Sequence, residues 1–205
     1  MSRMSRADRA AWRSARTLAD LGRLGAQWLE GDLAMQPAWR AGPDEETQPL
    51  IPALAALNRA GFYTTASSPG DDGTCSGNVH WRQRAAVEGF ADADLAGRLY
   101  LAAHEAGLIT VTHDPATLPR KHWDKALEIA VTERDGSPYT WFGQQWSRRE
   151  IRSRRHWGTC RRAAQDALCS AWQVTIVDPE WVREDLLWDV LAQVADARTP
   201  AEVVP

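Results

Sequence analysis

The stretch ALEIAVTERDGSPYTWF, residues 126–142, decides the fold class. Its first half alternates Leu127, Ile129 and Val131 with Glu128, Ala130 and Thr132, the period of two that marks a strand with one buried face. Asp135-Gly136 then supplies the residue pair that favours a two-residue hairpin turn, since both central positions of that turn need positive φ. Tyr139 to Phe142 is the returning strand. An antiparallel hairpin among helices argues against a doubly wound parallel sheet. It predicts an α+β protein, with a mixed or antiparallel sheet and helices packed on it as an α/β sandwich.

Working outward toward the C-terminus, Ala163, Ala164, Ala167, Leu168 and Ala171 fall at helical spacing over 159–171, with Thr159 as the cap. Trp172–Val177 alternates as a strand. Asp178-Pro179 then offers a capping carboxylate and a first-turn proline to a last helix that buries Leu186, Leu187, Val190, Leu191 and Val194. Toward the N-terminus, residues 11–30 repeat apolar positions at helical spacing. Gly22 and Gly25 inside that run each cost ~1 kcal/mol relative to Ala, which signals close packing against a neighbour. A loop over 31–46 leads to a helix from Thr47 to about Ala60, stopped by Gly61. Phe62–Ala66 reads as a strand, 67–78 as a polar loop and Ala85–Phe90 as another strand. A helix capped by Asp94 and closed by Gly107 precedes a strand over Leu108–Thr112. The organisation is a flexible basic N-terminus over 1–10, one domain over 11–197 with halves 11–115 and 120–197, and a loose tail over 198–205.

The chain has 205 residues, 44% hydrophobic and 25% charged, with a net charge of −3. That is long and apolar enough to bury a core, so a largely disordered chain is excluded. No run approaches the ~18 apolar residues that a bilayer span demands. Met1 to Ala10 carries arginines without a following apolar segment, so we expect a cytoplasmic protein without membrane partners. Three cysteines, Cys75, Cys160 and Cys169, are too few for a disulfide scaffold.

Eleven of the aromatic residues are tryptophan against three tyrosines and three phenylalanines. Indole joins a large apolar face to one N–H donor, which suits both cores and half-wet ligand pockets. Charge is uneven. Arg3, Arg6, Arg9, Arg13 and Arg16 stand against Asp8 at the N-terminus, and Asp44, Glu45 and Glu46 form a small acidic cluster. Over 148–162, Arg148, Arg149, Arg152, Arg154, Arg155, Arg161 and Arg162 face one acid, Glu150. Trp146, His156 and Trp157 interleave with that run, and arginine with aromatics is the chemistry of phosphate contact and base stacking.

The segment 67–78 is dense in Ser, Gly and Asp, the composition of ligand loops, where Gly admits a close ligand and hydroxyls donate hydrogen bonds. It carries neither GxxxxGK[ST] nor GxGxxG, and Asp71-Asp72 would repel an anion, so it is no phosphate loop. Those carboxylates suit ribose hydroxyls, an amine or a metal. For metals, Cys75, His80, His113, Asp114, His122 and Asp124 lack the spacing of known sites, and no metal or other cofactor is assigned. His80, His113 or His122 could activate Ser67, Ser68 or Cys75, but no GxSxG elbow accompanies them, and Glu88 at a strand end is a further general-base candidate.

The runs WRSARTLADLGRLGAQWLEG (12–31), GPDEETQPLIPALAALNRAGFYTTASSPG (42–70) and WRQRAAVEGFA (81–91) resemble an uncharacterised family of actinobacterial, mainly Streptomyces, proteins known as a domain of unknown function. The resemblance covers roughly residues 12–115 and implies an actinobacterial host or one of its phages, with no activity attached. The family has Gln where this chain has Ser68.

The residues together point to a non-catalytic binding protein for a small phosphorylated ligand such as a nucleotide, in a phage or host-defence setting. In that reading Ser67 and Ser68 donate hydrogen bonds, Asp71 or Asp72 takes a ribose hydroxyl, Arg82 or Arg84 meets phosphate, and Glu88 borders the pocket. One alternative is an RNA- or DNA-binding module centred on 146–162, with Arg148, Arg149, Arg152, Arg154, Arg155 and Trp157 in contact. Another is a hydrolase or transferase acting on a phosphorylated substrate through Glu88. A third is an interaction protein with exposed tryptophans; the sequence leaves the oligomeric state open.

Overall fold

Two stretches of chain, residues 63–75 and 79–91, run back along each other and bend together. That bent hairpin contributes to both sheets of the protein. β1 (Tyr63–Pro69) pairs with β4 (Ala85–Ala91), and β2 (Asp72–Cys75) pairs with β3 (Val79–Gln83), all antiparallel. Gln83 N–H donates to the Asp71 carbonyl at 2.6 Å and carries the pairing through the bend. Gly70 makes the corner at φ 89°, where a Cβ would lie 2.5 Å from the Arg183 carbonyl oxygen and 2.9 Å from the Ala85 nitrogen. Only glycine fits that approach.

The computed structural model describes residues 3–75, 77–120, 127–153 and 155–197. One sheet has the order β1-β4-β8-β5, with β5 at Ile109–His113 and β8 at Trp172–Val177. The other has the order β2-β3-β6-β7, with β6 at Ile129–Arg134 and β7 at Ser137–Phe142. Every pairing is antiparallel, and the fold is α+β. Asp135 and Gly136 sit at φ 46° and 75°, as the hairpin reading requires.

Among the described residues seven α-helices surround the sheets: α1 Arg6–Ser14, α2 Leu18–Leu29, α3 Ile51–Arg59, α4 Ala93–Glu105, α5 Arg148–Ile151, α6 Arg162–Cys169 and α7 Leu186–Asp196. None of them is long and apolar enough to cross a membrane. One face of the first sheet presents Ala85, Val87, Ala91, Val174 and Ile176 to Leu54, Leu95, Leu99 and Leu191 of α3, α4 and α7. This core draws on both halves of the chain. On the opposite face Ala86 and Val177 meet Val131 of the second sheet, while Tyr63 and Phe90 pack with Trp12, Ile151 and Trp157.

Several local expectations change. Residues 6–10, expected within a flexible arm, belong to α1, which buries Trp12 and Asp8. The single helix over 11–30 is two, because Thr17 and Asp20 form a reciprocal capping box that starts a new helix. Gly22 and Gly25 do mark close packing: Cβ atoms there would lie 2.3 Å from Asn58 O and 2.6 Å from Asn58 Oδ1 of α3. The Thr47 helix begins as a 3₁₀ turn over Glu45–Leu50 and becomes α-helical only at Ile51. Asp92, not Asp94, caps α4 by accepting from Leu95 N–H at 2.8 Å. Arg161, without a side-chain cap bond, precedes α6 in place of Thr159. Asp178 starts no helix; fully buried, it accepts two hydrogen bonds from Arg183 at 2.6 Å, and α7 is capped by Asp185. The tail 198–205, His122 and Asp124 lie outside the described residues.

Candidate ligand-binding site

The segment 67–78, read as a ligand loop, is mostly strand. Its polar residues pair through their backbones, and β2 is largely exposed, so no apolar alternation announces it. Ser68 is buried and donates to Gln83 Oε1 at 3.2 Å. Asp72 faces Arg82 across β2–β3, and the Asp71 carboxylate accepts from Asp72 N–H at 2.7 Å. Neither aspartate lies with the arginines in an enclosed pocket. Arg82 pairs with Glu133 at 2.7 Å, Arg84 donates to the Ala130 carbonyl at 3.2 Å, and both stack over Trp181. These arginines fasten the 179–184 turn to the bent hairpin.

Ser67 does reach a cavity, on the far side of β1. It encloses about 340 Å³ between β1, α2, α3 and the segment around Trp146. Its walls are aromatic: Trp28, Trp39, Tyr63, Trp146, His156 and Trp157. Three indole N–H groups are already engaged: Trp28 with the Ala41 carbonyl at 2.9 Å, Trp39 with that of Gly42 at 3.2 Å and Trp157 with the Tyr63 hydroxyl at 3.3 Å. Their ring faces and edges, not their donors, are left for a ligand. Trp12 donates likewise to the Met35 carbonyl at 2.8 Å, so tryptophans staple the 31–46 loop that closes one side.

The floor is the edge of a sheet. Among the described residues β1 has a strand neighbour on one side only, so main-chain groups on its other side point away from the sheet. Asn58 satisfies one of them by accepting from Thr64 N–H at 3.2 Å, and it donates to Thr64 Oγ1 at 2.7 Å. No described residue outside the sheet hydrogen-bonds the main chain of Thr65, Ala66 or Ser67. Asp44 and Glu46 bring carboxylates to the rim. Among the described residues no lysine or arginine lines this cavity. His156 is held below its ordinary pKa, first by burial and then by the positive charge of Arg155, so its imidazole is neutral at pH 7.

Behind Trp146 lies Glu88. It lies between Ala86 and Phe90 on the face of β4 turned away from α3, α4 and α7 and, with Trp141, Gln144, Gln145 and Trp146, bounds a cavity of about 60 Å³. Burial pushes its carboxyl up to about 7, against one stabilising hydrogen bond from Gly143 N–H at 3.3 Å. His113 Nε2 lies 2.9 Å from the carbonyl of the same glycine. Gln173 holds Trp146 by both main-chain groups, at 2.6 and 3.1 Å. Polar side chains of β4, β5 and β8 thus position the segment that carries the inner wall of the aromatic cavity.

The arginine run is dispersed. Arg152 pairs with Asp166 at 2.6 Å, Arg148 is half-buried, Arg149 and Arg155 are exposed, and Arg154 lies outside the described residues. Trp157 is 1% exposed and presents only part of its ring to the cavity, so it is no open stacking platform. Residue reasoning missed Trp28, Trp39, Asp44 and Glu46 as cavity residues. Abundant tryptophan and the acidic cluster were visible, but their convergence depends on how the 31–46 loop folds over β1. Among the described residues no three His, Cys, Asp or Glu side chains converge to hold a metal.

The family described as a domain of unknown function, DUF6919, matches residues 7–197. The chain belongs to that family. The DUF6919 match runs from α1 through α7, so it takes in the second sheet and the arginine segment as well as the stretch that carried the resemblance. No curated protein matches the chain.

Proposed function

We propose that this DUF6919 protein binds a small molecule through a flat ring system, with a nucleoside or nucleotide base as the class that fits best. The observation that carries this reading is the aromatic cavity on the open edge of β1. Its volume of about 340 Å³ falls within the ~300–1,000 Å³ of small-molecule sites. Indoles offer stacking surface, and an unpaired strand edge offers donors and acceptors in the alternation that a heterocycle edge can match. Asp44 and Glu46 suit ring amino groups or ribose hydroxyls as acceptors. This relocates the ligand from the 67–78 segment to the other side of β1, keeps Ser67, and assigns no phosphate to Arg82 or Arg84. The setting follows the resemblance: the cytoplasm of an actinobacterial host, or a phage of one.

The test is denaturing extraction of the purified protein with mass spectrometry of what is released, followed by calorimetry with that compound. A stoichiometric heterocyclic ligand whose affinity falls at least tenfold in Trp39→Ala supports the reading. Ligand binding unaffected by both Trp39→Ala and Trp146→Ala overturns it.

A catalytic reading has one observation of its own. Glu88 sits behind Trp146 with its carboxyl raised to about 7, where a general base is matched to neutral pH. Turnover of a nucleoside phosphate that is lost in a folded Glu88→Gln variant would establish it. Equal turnover in that variant removes this base.

A further inference from the structure

The sequence has two arginine-rich stretches, and the fold brings them together. Arg9 and Arg13 stand one turn apart on α1, Arg40 comes from the 31–46 loop, and Arg161 follows the turn Gly158-Thr159. With Met4 and Cys160 they line an open cleft of about 550 Å³ that has no carboxylate among its described lining residues.

These four arginines converge in one cleft with no carboxylate lining it, unlike the arginines that meet an acid elsewhere in the chain. Arg23, Arg59, Arg82, Arg98, Arg152, Arg162 and Arg183 all pair with carboxylates. Among the described residues none of Arg9, Arg13, Arg40 or Arg161 does so, and their one recorded side-chain bond is a long one, from Arg9 to the Met4 carbonyl at 3.5 Å. The protein is acidic overall, so unpaired cations gathered in one place do not follow from its composition. Converging like charges repel, and a polyanion relieves that repulsion while meeting several guanidinium forks at once. Gly158 and Thr159 add an exposed glycine and a hydroxyl to the same wall.

The cleft adjoins the aromatic cavity. Trp39 lines the cavity and Arg40 the cleft; Trp157 lines the cavity and Gly158 the cleft. Consecutive Cα atoms are about 3.8 Å apart, so the two sites border the same two segments of chain. We propose that the Arg9–Arg13–Arg40–Arg161 cleft binds linked phosphate groups, those of the ligand whose ring occupies the aromatic cavity. The link to the ring rests on the function proposed above; the anion site does not. Phosphates attached to a base come from a nucleoside polyphosphate or from a short single strand, and both present the same chemistry to these arginines.

The experiment measures binding by calorimetry for the four ribonucleosides, their 5′-triphosphates, inorganic tripolyphosphate and a mixed-sequence single-stranded DNA decamer. Wild type is compared with Arg13→Gln/Arg40→Gln and with Trp39→Ala. The arginines are exposed, so the double variant is expected to keep the wild-type melting temperature. A triphosphate that binds at least tenfold more tightly than its nucleoside, with that advantage removed by the arginine variant, supports the proposal for a small nucleotide. An arginine-dependent advantage confined to the decamer, with affinity falling steeply as salt rises, supports it for a strand. Arginine-dependent binding of tripolyphosphate without any nucleoside binding supports the anion site and overturns the ring assignment. If no phosphate-bearing probe binds more tightly to wild type than to the arginine variant, the proposal falls, whatever the nucleosides do.

Discussion

The two faces of the β1-β4-β8-β5 sheet are built for different ends. The face under α3, α4 and α7 is apolar along its two central strands, with Ala85, Val87, Ala91, Val174 and Ile176 against leucines that are almost wholly buried. The other face buries Glu88, His113, Gln173 and Thr175 between two smaller apolar clusters. Buried polar groups cost stability unless partnered, and here the partners are mostly main-chain groups of residues 143–146. The first face therefore sets stability, and the second trades some of it for the placement of Trp146 beside a cavity. Binding sites are most readily found where a sheet keeps polar groups inside against the general preference.

That contrast breaks or sharpens at specific residues. The largest effect belongs to the apolar face. Leu99→Ala, at a fully buried position, should lower unfolding free energy by about 2–5 kcal/mol in urea titration, with ligand affinity unchanged in the folded fraction. A loss under 1 kcal/mol would show that this face is not the tight one.

Next comes Glu88. Its folded carboxyl titrates at about 7 against 4.5 unfolded, so the folded state keeps a proton that the unfolded state has released. Stability should be highest below about pH 4.5 on this account and fall as pH rises toward 7, then level off. Glu88→Gln should remove that slope and, above pH 7, gain at most about 3 kcal/mol over wild type. Parallel pH–stability curves for the two proteins would contradict the assignment.

Gln173→Leu releases both main-chain groups of Trp146 and should cost about 1–3 kcal/mol. Its distinguishing sign is a change in Trp146 mobility by fluorescence anisotropy in a protein whose other tryptophans are replaced by Phe. Smallest of all, Ser147→Ala removes the capping box with Glu150 at the start of α5 and should cost about 1 kcal/mol in thermal melts.

What could be read from residues was whatever announces itself locally. Trp172–Val177 and Ala85–Phe90 are short runs of apolar and β-branched residues, and Asp135-Gly136 names its own turn; all three stand in the structure. Asp72–Cys75 gives no such signal, because an exposed strand needs only main-chain partners and its side chains are free to look like a loop. Asp178 has the sequence of a helix cap, and only the approach of Arg183 decides that its carboxylate serves an ion pair instead. Of the residues that line the aromatic cavity, the sequence singled out Ser67 and Trp157, but for two separate sites. Trp28, Trp39 and Glu46 lie far from Ser67 along the chain, and the arginines at 9, 40 and 161 meet only once α1 has docked.

The strand order has a consequence for how this chain is made. β8 lies between β4 and β5, pairing Ala86 with Val177 on one side and Ile109 with Val177 on the other. Among the described residues β5 has no other strand partner. Until Trp172–Val177 leaves the ribosome, the first sheet has a gap at its centre, and the hairpin β1–β4 waits with an unsatisfied inner edge. Such late, long-range closure slows folding and exposes strand edges during synthesis. A fragment ending near residue 115 therefore holds most of the leucines of the core without the strand that joins them, and it should aggregate where the whole chain folds.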